Sequence, residues 1–307
     1  MGLLKAVMGI LIIAILLGSG YFVYTYYQDG DSAFFQGDLT GVSGEITQFY
    51  ENMRFNHDAI SYFINEGCGI EKAVKMRQAF SIISDRTEIL TFASAPEERA
   101  DILIGCSANS YEKEKNIFIA GEGGPTNITN ATYPVITRGK ILLYSEEGSD
   151  CEQPLLEVHE LLHVFGYDHI NKSNDIMFPY LNCDQQIGEE LIGRLKTLYS
   201  IEPFADIYLS DVKGYKKNYG SNSYLDFNAS VDNQGMINAE NVVLKVYVNG
   251  KEISSFQNKE VRFGSGSTQY ITNILLPSGN IDKVKIEVST STRENNKINN
   301  AVELKLA

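Results

Sequence analysis

The stretch His159-Glu160-Leu161-Leu162-His163-Val164-Phe165-Gly166-Tyr167-Asp168-His169 decides how this chain is interpreted. It holds three of the four histidines in a chain of 307 residues. His159 and His163 are four residues apart, so on a helix their side chains lie on one face. Two imidazoles in that arrangement can bind one tetrahedral zinc ion, with Zn–N distances of about 2.0–2.1 Å.

The residues around these two histidines complete a predicted catalytic zinc site. Gly166 can adopt a positive φ and end the helix, and the turn that follows can return His169 to the metal as a third ligand. Three protein ligands leave a fourth position open for water. Glu160 lies one residue further round the helix and is the candidate general base. The pattern therefore predicts hydrolysis by a zinc-activated water.

Alternating segments around the motif predict a mixed α/β sheet. The helices are predicted over residues 71–84, 154–165 and 185–199. Asp184 is expected to cap the last of them. The strand-like runs are residues 59–64, 89–92, 101–105, 117–120 and 140–144. Residues 121–132, rich in glycine, asparagine and threonine, are expected to form a surface loop.

The chain after Pro203 has a different pattern. Strand-like runs recur at short spacing, and residues 242–248 end in Asn249-Gly250, a strong hairpin signal. About seven strands in roughly 100 residues predict an antiparallel β-sandwich of the immunoglobulin-like kind. This part has no histidine or cysteine that could carry out chemistry.

The N-terminal segment predicts export. Residues 6–27 carry no charge and would form a helix about 33 Å long, which matches a bilayer core. Lys5 precedes the run and Asp29 follows it, an asymmetry that favours a cytoplasmic N-terminus and an extracellular body. We favour a single-pass signal anchor over residues 1–27. A signal peptide cut near residues 18–20 is the alternative and would give a secreted protein.

The cysteines agree with an oxidising compartment; they are Cys68, Cys106, Cys151 and Cys183. An even number suggests two disulfides, and four cysteines allow three pairings. We favour Cys68 with Cys106 and Cys151 with Cys183, because each pair would tie segments of one half of the same domain. Buried free thiols are the alternative.

The composition argues against two classes of protein. An apolar content of 43% and a charged content of 21% indicate an ordinary globular chain rather than a disordered one. The formal net charge of −13 argues against a nucleic-acid partner, which would require a basic face. We expect a monomer.

The zinc motif resembles that of the metzincin clan of zinc endopeptidases. Residues 173–180, Ser-Asn-Asp-Ile-Met-Phe-Pro-Tyr, are similar to the Met-turn beneath the zinc of that clan, with Met177 as its methionine. Among metzincins the chain is most similar to the matrixins. That likeness is carried by Gln78-Ala79-Phe80 at a helix end, then Leu90-Thr91-Phe92, then Ala100-Asp101-Ile102-Leu103-Ile104.

This resemblance covers roughly residues 53 to 200 and implies a metalloendopeptidase with one catalytic zinc. It also implies that residues 118–121 form the edge strand that pairs with an extended peptide or protein substrate. The chain departs from matrixins at Ile170, where serine usually follows the third histidine. It shows no Asp-rich calcium loop, so the sequence gives no support for structural calcium.

The C-terminal part resembles CARDB-like or fibronectin type III-like adhesion modules of surface proteins, and this likeness implies that it binds a surface ligand or acts as a spacer. The likeness is carried by Val231-Asp232-Asn233-Gln234-Gly235 and by the closing Glu294-Asn295-Asn296-Lys297-Ile298-Asn299-Asn300. We therefore predict four segments: an anchor (1–27), a stalk (28–52), a metzincin-like peptidase domain (53–202) and a β-sandwich (203–307).

The predicted function is a membrane-anchored zinc endopeptidase that acts on extracellular proteins. The first alternative is a surface adhesion protein whose metzincin domain is inactive, although the intact Glu160 counts against it. The second is a zinc hydrolase that acts on a non-peptide amide.

Overall fold

Two hydrophobic cores follow one another along the chain, one built from residues between 46 and 199 and one from residues between 205 and 288. The computed structural model describes residues 44–107, 111–114, 117–144 and 151–304. The predicted anchor and most of the predicted stalk lie outside these residues. Within them, no helix is long and apolar enough to cross a membrane.

The first core lies between a sheet and three helices. The strands are β1 (Arg54–Phe55), β2 (Ala59–Ile64), β3 (Thr91–Ser94), β4 (Ile102–Ser107), β5 (Tyr111–Glu114), β6 (Ile117–Ile119), β7 (Gly121–Thr129) and β8 (Val135–Tyr144). The helices are α1 (Gly69–Thr87), α2 (Leu155–Val164) and α3 (Glu189–Tyr199). The main sheet has the order β1-β8-β4-β2-β3, and its strand pairs are parallel. β7 adds to β8 antiparallel, which makes the sheet mixed as predicted.

The expectation of a surface loop over residues 121–132 is wrong. Residues 121–129 form β7, whose first half crosses α2 at Glu160. A side chain on Gly123 would overlap the backbone oxygen of Glu160, and one on Gly121 would come within 2.8 Å of its carboxylate. The glycines therefore mark a close approach between a strand and a helix rather than a loop.

The predicted edge strand also lies elsewhere. β6, which covers most of residues 117–120, pairs antiparallel with β5 in a separate two-stranded sheet. β7 is one edge strand of the main sheet, because among the described residues it pairs with β8 alone.

The last helix of this core begins later than its apolar spacing predicts. α3 starts at Glu189 after Gly188, and Asp184 does not cap it. The residues before it are instead held by the Met-turn segment: the backbone N–H of Gln186 donates to the carbonyl of Asn174, and its carbonyl accepts from Ile176. These backbone bonds keep the segment extended.

The second core lies between two antiparallel sheets. The strands are β9 (Ile207–Tyr219), β10 (Asn222–Asn233), β11 (Ala239–Val248), β12 (Lys251–Val261), β13 (Ser265–Leu275), β14 (Val284–Ser289) and β15 (Ala301–Leu304). The sheet orders are β13-β10-β9 and β12-β11-β14-β15. Alternate residues of both sheets, such as Phe227 and Leu244, are buried together. The C-terminal part is all-β, as predicted.

A small apolar cluster joins the two cores. Val135 at the start of β8 packs with Phe204 and Met236, all three buried. The ring of Tyr133 meets that of Phe204 edge to face at 6.0 Å. The backbone N–H of Thr132 also donates to the carbonyl of Gln234 at 2.8 Å, so the junction has both apolar and polar contacts.

Candidate metal centre

The helix α2 places two histidines in the interior of the first core. Leu161 and Leu162 are fully buried and fix the rotation of the helix. His159 and His163, one turn apart, are 8% and 7% exposed. An imidazole ring carries two polar nitrogens, and burying them costs free energy unless they have hydrogen-bond or metal partners.

Those partners are backbone carbonyls. Nδ1 of His159 donates to the carbonyl of Ile176 at 2.6 Å, and Nδ1 of His163 donates to the carbonyl of Tyr167 at 2.7 Å. A carbonyl only accepts, so each Nδ1 carries the ring proton. In the neutral rings, each Nε2 therefore presents a lone pair.

The turn after α2 brings in the third histidine. Gly166 ends the helix with φ of +84°, and a side chain there would come within 2.7 Å of the Met53 sulfur. The chain then reverses, and Nε2 of His169 lies 3.2 Å from Nε2 of both His159 and His163. The two helical Nε2 atoms are 3.0 Å apart.

This geometry fits a bound zinc ion. Nitrogen ligands at about 2.0–2.1 Å around a tetrahedral ion lie about 3.3 Å from one another, close to the observed separations. Two of the three nitrogens cannot donate to each other, because their ring protons are used at Nδ1. Lone pairs at such distances repel unless a cation lies between them.

The protonation of the rings agrees with this fit. Burial, together with the neighbouring His169, lowers the pKa of His159 to about 4. Burial, followed by the charges of the other two histidines, lowers the pKa of His163 well below its ordinary value. Both rings are therefore neutral at physiological pH, the form that binds a metal.

Glu160 is buried beside the histidines, with 4% of its surface exposed. Burial, together with the charges of Glu122 and Glu157, raises the pKa of its carboxyl group to about 8. A divalent cation at the histidines would favour the carboxylate. The strand β7 covers Glu160 from one side, since the Gly121 backbone approaches its carboxyl group.

The predicted Met-turn contacts the segments around the histidines. Met177 is buried, and its carbonyl accepts from the backbone N–H of Ile170, next to His169, at 3.0 Å. Its own N–H donates to Asp175 Oδ1 at 2.9 Å. With the Ile176 carbonyl on His159, this turn contacts the segments that carry two of the three ligands.

A segment that the sequence assigns to the stalk also lies against the site. The carbonyl of Thr47 accepts from the backbone N–H of Asp168, and Gln48 Nε2 donates to the carbonyl of Phe165. The ring of Phe49 stacks on that of His163 at 6.1 Å. The sequence of residues 44–52 contains no pattern that predicts these contacts, because their partners lie more than 100 residues later in the chain.

Both disulfides have the pairing that we favour from the sequence. Cys151, just before α2, is bonded to Cys183, which follows the Met-turn. Cys68, at the start of α1, is bonded to Cys106 in β4. The bond between Cys151 and Cys183 thus joins the segment that carries His159 to the segment that carries the carbonyl of Ile176.

Comparison with known families gives two matches. Residues 54–199 match the matrixin family, and residues 206–304 match the CARDB family. The chain carries a matrixin domain followed by a CARDB domain. The resemblance inferred from the sequence is confirmed, and at the level of the family the first domain is a zinc metallopeptidase domain. Among curated proteins, no relative matches the chain.

Solved structures similar to the chain include two of one CARDB domain from Pyrococcus furiosus. The crystal structure, described as a complex with di-metal ions, is 18% identical with a TM-score of 0.26, and the match covers 34% of this chain and 90% of that one. The solution structure is 18% identical with a TM-score of 0.27, covering 34% and 96%.

The contact between β7 and α2 can be tested with two neighbouring glycines. Gly123→Ala would place a methyl group against the Glu160 carbonyl, whereas the same change at Gly124 meets no atom within 4 Å. We expect Gly123→Ala to lower the free energy of unfolding by about 1–3 kcal/mol and to reduce bound zinc. Gly124→Ala should behave like the wild type. Equal losses in urea denaturation would contradict the proposed close approach.

Proposed function

We propose that this chain is a zinc-dependent endopeptidase that hydrolyses peptide bonds of extracellular proteins. The observation that carries the proposal is the carboxyl group of Glu160 beside three histidines whose Nε2 atoms lie 3.0–3.2 Å apart. Three ligands from the protein are the number found in catalytic zinc sites, whereas structural sites have four.

The proposed reaction needs one proton acceptor from the chain. Zinc, when bound, supplies a Lewis acid that lowers the pKa of water and polarises a peptide carbonyl. Glu160 accepts the proton of the attacking water and passes it to the leaving amine. Burial raises the pKa of Glu160, and a bound cation would oppose that shift and keep the carboxylate available to accept a proton.

The strand β7 is the proposed binding edge for substrate. It lies at the side of the main sheet, and its first residues cross α2 at Glu160. A free strand edge can pair with an extended peptide through backbone hydrogen bonds. Such pairing would hold a peptide bond next to the three histidines and recognise a polypeptide backbone rather than one side chain.

We also propose that the protein is anchored by residues 1–27, with a stalk to residue 52, the peptidase domain over 53–202 and the sandwich over 203–307. The uncharged run of residues 6–27 and the two disulfides support an extracellular body. The full chain should remain in the membrane pellet after alkaline carbonate extraction, and an external protease should reach its body. Recovery of the intact chain in the cytosol would contradict this topology.

The proposed role of Glu160 predicts the result of one substitution. Glu160→Ala should reduce casein cleavage by a factor of about 10² to 10⁴, because the proton acceptor is lost. Bound zinc should stay at the wild-type level, since the histidines are intact. Glu98→Ala is the matched control. It removes an exposed carboxylate that is not part of the proposed site, and it should leave the rate unchanged.

The same experiment separates the alternatives. An unchanged rate in Glu160→Ala would rule out the proposed mechanism. Zinc bound to a wild-type protein that cleaves neither casein nor a peptide library would favour a binding role or a non-peptide substrate.

A further inference from the structure

A buried polar cluster lies in the CARDB domain, at its junction with the preceding residues. Asp206, just before β9, is 4% exposed, and Asn300, just before β15, is 6% exposed. Glu294 and Asn299, both partly buried, complete the cluster, and Gln234 Nε2 donates to Asp206 Oδ2 at 3.1 Å. Nδ2 of Asn300 donates to Glu294 Oε1 at 2.6 Å, and Nδ2 of Asn299 donates to Asp206 Oδ1 at 3.4 Å.

Three oxygens of this cluster are buried and, among the described residues, have no hydrogen-bond donor: Glu294 Oε2, Asn299 Oδ1 and Asn300 Oδ1. Rotating either amide would turn its oxygen toward a carboxylate, so the amide nitrogens are fixed by their partners. Native structures rarely leave buried acceptors unsatisfied, because each costs about 1–3 kcal/mol.

The charge of the cluster is also unbalanced. Within the described part of the chain, neither Asp206 nor Glu294 forms an ion pair, and the neighbouring Arg293 pairs with Glu202. Lys297 acts on Glu294 only through its more distant charge. Burial has the largest effect and raises the pKa of Glu294, and the charge of Asp206 adds to it, whereas hydrogen bonds from Asn300 and from the Ile207 backbone lower it. Two carboxyl groups, one buried (Asp206) and one partly buried (Glu294), thus lie in one cluster without an ion pair among the described residues.

The available atoms suit a hard cation. They are carboxylate and amide oxygens, the ligands that Ca²⁺ takes in proteins, and the cluster has no nitrogen or sulfur lone pair for a softer metal. A water molecule can donate two hydrogens and would leave the charge uncompensated, whereas a divalent ion satisfies the oxygens and neutralises both carboxylates.

We propose that Asp206, Glu294, Asn299 and Asn300 form a binding site for a calcium ion. The ion would tie the start of β9 to the segment before β15, which already meet where Ala205 pairs with Glu294. Phe204, two residues before Asp206, packs in the apolar cluster between the two domains. Calcium at this site therefore stabilises the CARDB domain next to its contact with the matrixin domain.

Calcium binding to the full-length, zinc-loaded chain tests the proposal. Equilibrium dialysis with radioactive calcium should give one more bound ion per chain for the wild type than for Glu294→Gln, which keeps the size of the side chain but removes its charge. Calcium should also raise the Tm of the wild type and have a smaller effect on the variant. Ions bound elsewhere in the chain are common to both proteins and cancel in the difference.

Two further variants keep the result interpretable. Glu240→Gln removes an exposed carboxylate from the same domain and should bind as many ions as the wild type. If Glu294→Gln fails to fold, Asn299→Ala removes a different proposed ligand and should weaken binding by about tenfold or more. Equal calcium stoichiometry and affinity in the wild type and the folded ligand variants would overturn the proposal.

Discussion

Three imidazole nitrogens that lie 3.0–3.2 Å apart are the constraint on which the rest of the first domain depends. Two of them belong to rings whose protons are used by backbone carbonyls. Without a cation the lone pairs of such a cluster repel one another, so the surrounding structure must hold the rings together at an energetic cost until a metal binds. Metal binding and folding are coupled in sites of this kind.

Several elements of the chain share that task. The helix α2 fixes two rings, the reversal at Gly166 returns the third, and the Met-turn supplies the carbonyl that orients His159. The disulfide between Cys151 and Cys183 joins the beginning of α2 to the Met-turn segment. On the other side, β7 approaches so closely that only glycine fits at residue 123. The same approach gives the proposed substrate strand its position beside Glu160.

The parts of the site that the sequence predicts are those set by local spacing. His159, Glu160 and His163 occupy adjacent turns of one helix, so their arrangement follows from helical geometry. The sequence predicts a loop where β7 lies, because glycine is common both in flexible turns and at close contacts between backbones. The contact of Phe49 with His163 and the cluster of Asp206 with Asn299 join distant segments, and neither has a local pattern.

The coordination of zinc in the purified chain tests the central claim most directly. Zinc-edge X-ray absorption on full-length protein prepared without chelators should show three imidazoles and one further light atom, with Zn–N distances of about 2.0–2.1 Å. A sulfur ligand at about 2.3 Å, or protein that contains no zinc, would contradict the account.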